Sequence, residues 1–276
     1  MDLYDQVAYE NSRHLTLRYS TSFGISSRFF SKSIKDHIYA IYALVRIADE
    51  IVDTYAGIHG PKLLNELEER IYETLQTGYD TNLVIHAFCK TATVYGIDRT
   101  LIKPFFDSMR MDLTPQLYKS VNYTKYIHGS AEVIGLMCLR VFLDGNSISY
   151  NELMPGATAL GSAYQKVNFL RDLSTDYKEL GRIYFPQVTY DTFNEKQKQI
   201  IILDIKNDFS KAILAINKLP NSSKRATLIS YVYYSELLKK LERTSAETIK
   251  HNRVRITSIR KLILMIKTVL FGVFKK

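Results

Sequence analysis

The sequence predicts an all-α fold, a single-domain bundle of about nine or ten helices, and three observations carry that expectation. Apolar residues recur with a helical period in nearly every segment rather than with the alternation of strands. Gly and Pro are sparse, at 12 and 6 of 276 residues. No Ser/Gly-rich linker, low-complexity tract or solenoid-period repeat divides the chain. One domain over residues 1–276 is therefore expected, long enough to bury a substantial core.

The elements follow in order. Residues 2–19 read as a first helix, and Ser20-Thr21-Ser22-Phe23-Gly24 as a polar, cap-like turn after it. A second helix is expected over 33–52, with Ser33 and Asp36 as its start signals. It is apolar enough, from Ile38 through Ala43 and Leu44 to Val52, that most of it must be buried. Yet Arg46, Asp49, Glu50 and Asp53 stand near its end, and unpaired charges are expensive to bury. Past Gly57 and Gly60-Pro61, an ordinary amphipathic helix over 62–76 exposes Glu and Lys. Helices at 83–95, 99–111, 123–142 and 151–178 follow, until Gly181-Arg182-Ile183-Tyr184-Phe185-Pro186 breaks the pattern.

Helices over 194–219 and 222–243 and a basic amphipathic one at about 258–276 complete the bundle. The last is too short, and too interrupted by Lys267, to span a bilayer. With Arg253, Arg255, Arg260 and Lys261 before its apolar run and Lys275-Lys276 after it, it reads equally as a helix lying in a lipid interface or one packed on the core.

A net charge of +9 points to an anionic partner, and nucleic acid, a phosphorylated small molecule and a membrane surface all fit. No nucleic-acid-reading motif accompanies the basic residues, so nucleic acid ranks last. Cys89 and Cys138 lie in apolar helical settings without C-x-x-C spacing, as buried thiols of a reducing compartment would. Met1-Asp2-Leu3-Tyr4-Asp5 lacks a basic region followed by an apolar one, so a cytoplasmic protein is expected, with peripheral membrane contact through the last helix left open beside its packing on the core.

Five carboxylate pairs are spaced i,i+4: Asp49/Asp53, Glu69/Glu73, Asp172/Asp176, Asp191/Glu195 and Asp204/Asp208. Such pairs repel unless solvated or bridged by a cation. Glu69/Glu73 and Asp191/Glu195 read as solvated faces, and Lys206 and Lys211 suggest the same for Asp204/Asp208. The other two close strongly apolar helices beside Arg46 and Arg171. On the later helix Gln165, Asn168, Asp172 and Asp176 form one polar stripe, while Val167, Leu170 and Leu173 anchor another face. Two such pairs facing each other would hold two or three Mg²⁺ ions, which take oxygen ligands and share substrate phosphates. The arginines would add bidentate contacts to phosphate.

Arg46-Ile47-Ala48-Asp49-Glu50-Ile51-Val52-Asp53, together with Gln165-x-x-Asn168-x-x-Arg171-Asp172-x-x-x-Asp176, resembles the two aspartate-rich motifs of the squalene/phytoene synthase family, the head-to-head prenyl synthases. Ser22-Phe23, Ala40-Ile41-Tyr42-Ala43, the Gly129-to-Met137 run and Gly181-to-Pro186 match as well, so the resemblance covers about residues 15–260. The form of the first motif and the Gly129 run look most like the bacterial phytoene synthase branch.

That resemblance implies the isoprenoid (trans-prenyl) synthase fold with a central cavity. It implies that Asp49, Asp53, Asp172 and Asp176, with Asn168, hold Mg²⁺, for which Mn²⁺ would substitute. Ser22, Arg46, Gln165, Asn168, Arg171 and Arg253 would support the diphosphates, and Tyr42 and Tyr126 would line the site. Two departures stand out. Where many relatives place a basic residue just before Ser-Phe, this chain has Tyr19-Ser20-Thr21-Ser22-Phe23, with Arg18 farther back. Glu132 stands where many relatives have glycine, either as a paired core acid or as a cavity residue.

The activity implied is the joining of two geranylgeranyl diphosphates, through prephytoene diphosphate, to phytoene, a step of carotenoid biosynthesis that needs no NADPH. Two alternatives stay open. One is a squalene, dehydrosqualene or hydroxysqualene synthase using farnesyl diphosphate. The other is a non-catalytic relative that binds a lipid or a partner, against which the four intact aspartates argue.

Overall fold

The computed structural model describes residues 2–113, 120–180, 184–186 and 188–271, and among these it holds thirteen α-helices and no strand. Helix α1 (Leu3–Tyr19) starts on Asp2, whose side chain accepts the Asp5 N–H at 2.8 Å. The expected polar turn after it is instead a short helix, α2 (Thr21–Ser26). Ser20 has extended backbone and its Oγ accepts the Phe23 N–H at 3.2 Å, so the residues that look like a turn are an N-cap. After one 3₁₀ turn (Ser27–Phe29) comes α3 (Lys32–Asp53), which starts from Ser31 rather than on a side-chain cap by Ser33 or Asp36.

α4 (Gly60–Thr77) carries Pro61 in its first turn, and Asn82 caps α5 (Leu83–Tyr95) by accepting from Val84 and Ile85. Both helices stop at glycines, Gly78 and Gly96, with φ of 79° and 68°, the left-handed conformation that glycine adopts without steric cost. α6 (Arg99–Asp112) is capped by Asp98. The single helix expected over 123–142 is divided into α7 (Ser120–Ile127), one π-helical turn (His128–Glu132) and α8 (Val133–Phe142). Glu132 in that turn bonds His128 Nδ1 at 2.9 Å and does not line the cavity described below, so it is a paired acid.

α9 (Ser147–Leu180) is the longest element, at 34 residues, and runs on through Pro155. α10 (Glu195–Lys218) begins at a capping box formed by Asn194 and Gln197. α11 (Asn221–Arg243), an unanticipated one-turn α12 (Ala246–His251) and α13 (Ser258–Phe271) follow. Gly181–Ile183 of the chain-breaking motif and the last five residues of the basic helix lie outside the described residues.

Two large apolar clusters form the interior. One gathers α3, α4, α5, α6 and α8, with Ile38, Leu44, Ile71, Phe88 and Phe106 almost fully buried. The other joins α9 and α10 to α11 and α12 through Val167, Leu170, Ile205 and Leu241. α9 and α10 run closely together: a Cβ on Gly156 would lie 2.2 Å from the Ala215 Cβ.

One surface expectation holds for exposed Asp204 and fails for Asp208. Asp208 is buried, and with Asp204 it grips Lys166 of α9, Nζ lying 2.7 Å and 2.5 Å from their Oδ2 atoms; Ser162 Oγ donates to Asp208 as well. The pair does face a cation, but that cation is a lysine of the neighbouring helix rather than solvent-exposed Lys206 or Lys211. Glu69/Glu73 and Asp191/Glu195 are exposed, as expected.

Cys89 is in the core, whereas Cys138 is only half-buried and faces the cavity. Burial pushes both thiols up to about 12. Among the described residues no helix is long and apolar enough to cross a membrane.

Candidate active site

A cavity of about 1080 Å³ lies between the two clusters, walled by α2, α3, the π turn, α8, α9 and α11. Its polarity follows from how α3 and α9 run along it. From Ile38 through Ile41, Tyr42 and Val45, the lining residues of α3 lead to Arg46, Asp49 and Asp53. Those of α9 lead from Leu153, Ala157 and Leu160 to Gln165, Asn168, Arg171, Asp172 and Asp176. At 1.5 Å per residue these paths span roughly 22 Å and 35 Å, so one end of the cavity is apolar and the other charged.

Close backbone contact fixes α9 in this position. A Cβ on Gly161 would meet the Ala131 carbonyl oxygen at 2.6 Å, and one on Gly135 would meet the Ala157 oxygen at 3.0 Å. Val167, Leu170 and Leu173 hold the opposite face of α9 in the core, which turns the Gln165-to-Asp176 stripe inward.

At the charged end, all four motif aspartates share one lining. Burial, and then the nearby charge of Asp53, push the Asp49 carboxyl up to about 7, with Asp112 and Glu50 adding to the effect and Arg46 opposing it. Arg46 lies over the Tyr19 ring at 4.6 Å and bonds Glu50, so Glu50 serves to hold the guanidinium while Asp49 and Asp53 face the cavity. On α9, Asp172 receives Arg171 Nε at 2.9 Å and Arg253 Nε at 2.6 Å. Burial works against the Arg171 charge, but Asp172 more than compensates and raises it.

Two buried polar atoms of this end have no hydrogen-bond partner among the described residues: the acceptor Asn168 Oδ1 and the donor Arg46 Nε. An acceptor and a donor left so in a carboxylate-lined cavity suit a cation and an anion respectively. Among the described residues no three His, Cys, Asp or Glu side chains stand together as a finished metal cage. The donor set is nonetheless all oxygen, and it fits a hard divalent ion that keeps water and shares phosphate oxygens.

Tyr42 stacks on Phe23 with ring centroids 5.0 Å apart, and burial raises its phenol. Tyr126 is buried, donates to Asp112 Oδ2 at 2.7 Å and stacks on Tyr184 at 5.2 Å; Tyr184 in turn stacks on Phe169 at 4.0 Å. Tyr184 of the Tyr-Phe-Pro run therefore belongs to an aromatic wall. Of the twelve residues named for this site from sequence, only Ser22 has a side chain outside the described set; its neighbour Ser20 lines the cavity.

Asp112, Tyr164 and Tyr234 were not foreseen. The two tyrosines stack at 4.0 Å against the cavity. Asp112 did have a signal, because it continues the stripe Leu101, Phe105, Met109 by three residues, which puts a carboxylate on the buried face of an amphipathic helix.

The family model described as squalene/phytoene synthase matches residues 16–260. The chain is 26% identical over 280 residues to the 15-cis-phytoene synthase of Synechococcus elongatus, covering 92% of this chain and 90% of that one. It is 25% identical to the chloroplastic phytoene synthase of Daucus carota, covering 93% of this chain and 68% of that one. It spans less than two thirds of some plant relatives, 61% of the one from an Oncidium hybrid cultivar. Among solved structures it is similar to a dehydrosqualene synthase in complex with ligand, at a TM-score of 0.81 and 19% identity over 96% of both chains. A squalene synthase from Alicyclobacillus acidocaldarius matches at a TM-score of 0.77 and 19% identity, over 88% of this chain and 96% of that one. The shared architecture is the isoprenoid synthase fold.

Proposed function

Since the chain belongs to the squalene/phytoene synthase family, we propose that it is a prenyltransferase that joins two geranylgeranyl diphosphates head to head to give phytoene. One observation carries this reading: a single cavity holds both aspartate motifs with Arg46, Arg171 and Arg253 at one end and a long apolar chamber at the other. At about 1080 Å³ the cavity reaches the upper end of the roughly 300–1,000 Å³ usual for small-molecule sites, as two long isoprenoid chains require. The phytoene synthases among its relatives support the choice of substrate.

Asp49 and Asp53 from α3, and Asp172, Asp176 and Asn168 from α9, would hold Mg²⁺. Bound there, the metal would supply positive charge to the diphosphates and Lewis acidity to their departure. Arg46 would donate from its unpaired Nε to phosphate oxygen, and Arg171 and Arg253, which now share Asp172, would contact the same anions.

In the first step the C1–O bond of one substrate breaks, and its electron pair leaves with diphosphate. The C2–C3 π pair of the second substrate attacks the allylic cation, and proton loss closes the cyclopropane of prephytoene diphosphate. A second ionisation, rearrangement and proton loss give phytoene. The departed diphosphate is the natural base. The aromatic faces of Phe23, Tyr42, Tyr126 and Tyr184 would stabilise passing cations, and the apolar chamber would keep water from quenching them.

Incubation with geranylgeranyl or farnesyl diphosphate, with Mg²⁺ or EDTA and without NADPH, tests the reading, with extracted lipids as the readout. A C40 hydrocarbon from the longer substrate alone is expected. EDTA should abolish it, and Asp172→Ala should lower it by at least ~100-fold, the scale of losing one electrostatic contact to a developing charge. A C30 product would move the protein to the squalene-type branch. No product from folded protein would refute catalysis of this kind.

A further inference from the structure

We propose that the outer face of α13 is a docking surface for an anionic lipid bilayer. Along α13 the inward residues are Leu264 and Thr268, both buried, with Met265 and Val269 packed beside Ile229 and Tyr233 of α11. That row holds the helix to the bundle. The remaining aliphatic residues point away from it: Ile259, Leu262, Ile263, Ile266 and Leu270 are 39% to 74% exposed. At 100° per residue the five fall within an arc of about 100°, so they form one continuous stripe rather than scattered surface residues. A stripe of this kind on water costs free energy unless something covers it.

Charge identifies what covers it. Exposed Lys267 lies along one border of the stripe, and Arg260, shared with Glu236 at 2.8 Å, lies about two turns before it on the same border. No Asp or Glu follows Glu247, whereas seven Lys and Arg residues follow Asn252. A second copy of the chain meeting this face about a two-fold axis would set cations against cations. Among the described residues the stripe itself is aliphatic throughout and carries none of the Tyr, Trp and Arg anchors on which protein interfaces turn. Aliphatic residues bordered by cations match instead the acyl boundary and the anionic headgroups of a bilayer, with the helix lying in the interface.

Position supports the same occupant. Ser258 and Lys261, in the first turn of α13, line the cavity, as do Arg253, Val254, Arg255 and Ile256 just before it. A bilayer on this face would therefore lie beside the cavity. That placement serves any long apolar ligand, and it does not depend on which prenyl chain the protein uses.

Vesicle co-sedimentation of the full chain, without substrate, tests the proposal. The probes are vesicles of phosphatidylglycerol with phosphatidylcholine, and of phosphatidylcholine alone. The protein should sediment with the anionic vesicles, less so as salt rises, and much less with the neutral ones. Leu262→Glu/Ile266→Glu should weaken this binding by at least ~10-fold, because both side chains would carry charge into the acyl boundary. Lys267→Glu, at an exposed site that the fold does not need, should weaken it about fivefold or more. Circular dichroism should be unchanged in both variants. Protein left in the supernatant with both vesicle types would overturn the proposal, as would binding indifferent to these substitutions. So would a dimer, seen by light scattering, that the same substitutions split.

Discussion

Replacing Asp49 with Asn should stabilise the metal-free protein above about pH 7 and do almost nothing below pH 4. The Asp49 carboxyl is raised from 3.8 to about 7, by burial first and then by Asp53, so the folded protein keeps this proton where the unfolded chain has lost it. Between those two pH values the folded state binds the extra proton. Stability therefore falls as pH rises through the window and stays low above it. A difference of about 3 pH units corresponds to ~4 kcal/mol if the group were fully buried. The Asp49 side chain is 35% exposed, and solvent screening reduces the expected gain to about 1–2 kcal/mol.

For a chain slightly longer than 250 residues this corresponds to about 2–4 °C in Tm. Scanning calorimetry of chelator-treated wild type and Asp49→Asn at pH 5, 6, 7 and 8 would show a gain that grows with pH and levels off above 7. A gain independent of pH, or a loss at pH 8, would refute the idea that repulsion and burial at the charged end strain this carboxylate. The same variant should lose activity, since a group held at a cost to stability is expected to serve function. Mg²⁺ with pyrophosphate should raise the Tm of wild type at pH 8, and raise that of the variant less.

Other perturbations follow from single contacts. Gly129→Ala would place a methyl 2.0 Å from Ser108 Oγ and 2.1 Å from the Pro104 oxygen, so α6 and the π turn must separate; a loss of about 1–3 kcal/mol or more is expected in denaturant titration. Lys166→Met removes the cation that buried Asp208 faces and should cost about 3–5 kcal/mol, much of it recovered by adding Asp208→Asn in a double-mutant cycle. Arg253→Gln, at a residue bonded to Asp172, should weaken pyrophosphate binding about tenfold by calorimetry while Tm changes little, because its side chain is 41% exposed.

Much of this site was readable because its residues lie on two helices. Once a 3.6-residue period is recognised, Asp49 and Asp53 must share a face, as must Gln165, Asn168, Asp172 and Asp176, and the cavity collects both sets. Tyr42 follows for the same reason, one turn before Arg46. Asp112 was legible in principle, as a carboxylate three residues beyond Met109 on the buried face of α6. The Tyr164–Tyr234 stack was not legible, because it joins α9 to α11 across seventy residues. The π turn at His128–Glu132 also lacks a period of its own; it is set by how closely Gly129 approaches α6 and Ala131 approaches Gly161.

By itself the sequence determined the helical class, most helix positions, the two acidic motifs and the family, because periodicity, caps and motif spacing are local properties of the chain. It could not determine the partner of each charge. Asp204/Asp208 and Asp49/Asp53 have the same i,i+4 spacing, yet Lys166 of a neighbouring helix neutralises the first, while the second faces a cavity beside a third acid, Asp112. Nor could it determine which side of α13 would stay outside, since its inward and outward rows are both aliphatic. Those outcomes depend on which helix packs beside which, and the energy of a charge or an apolar face depends on what lies opposite it, which only the tertiary structure decides.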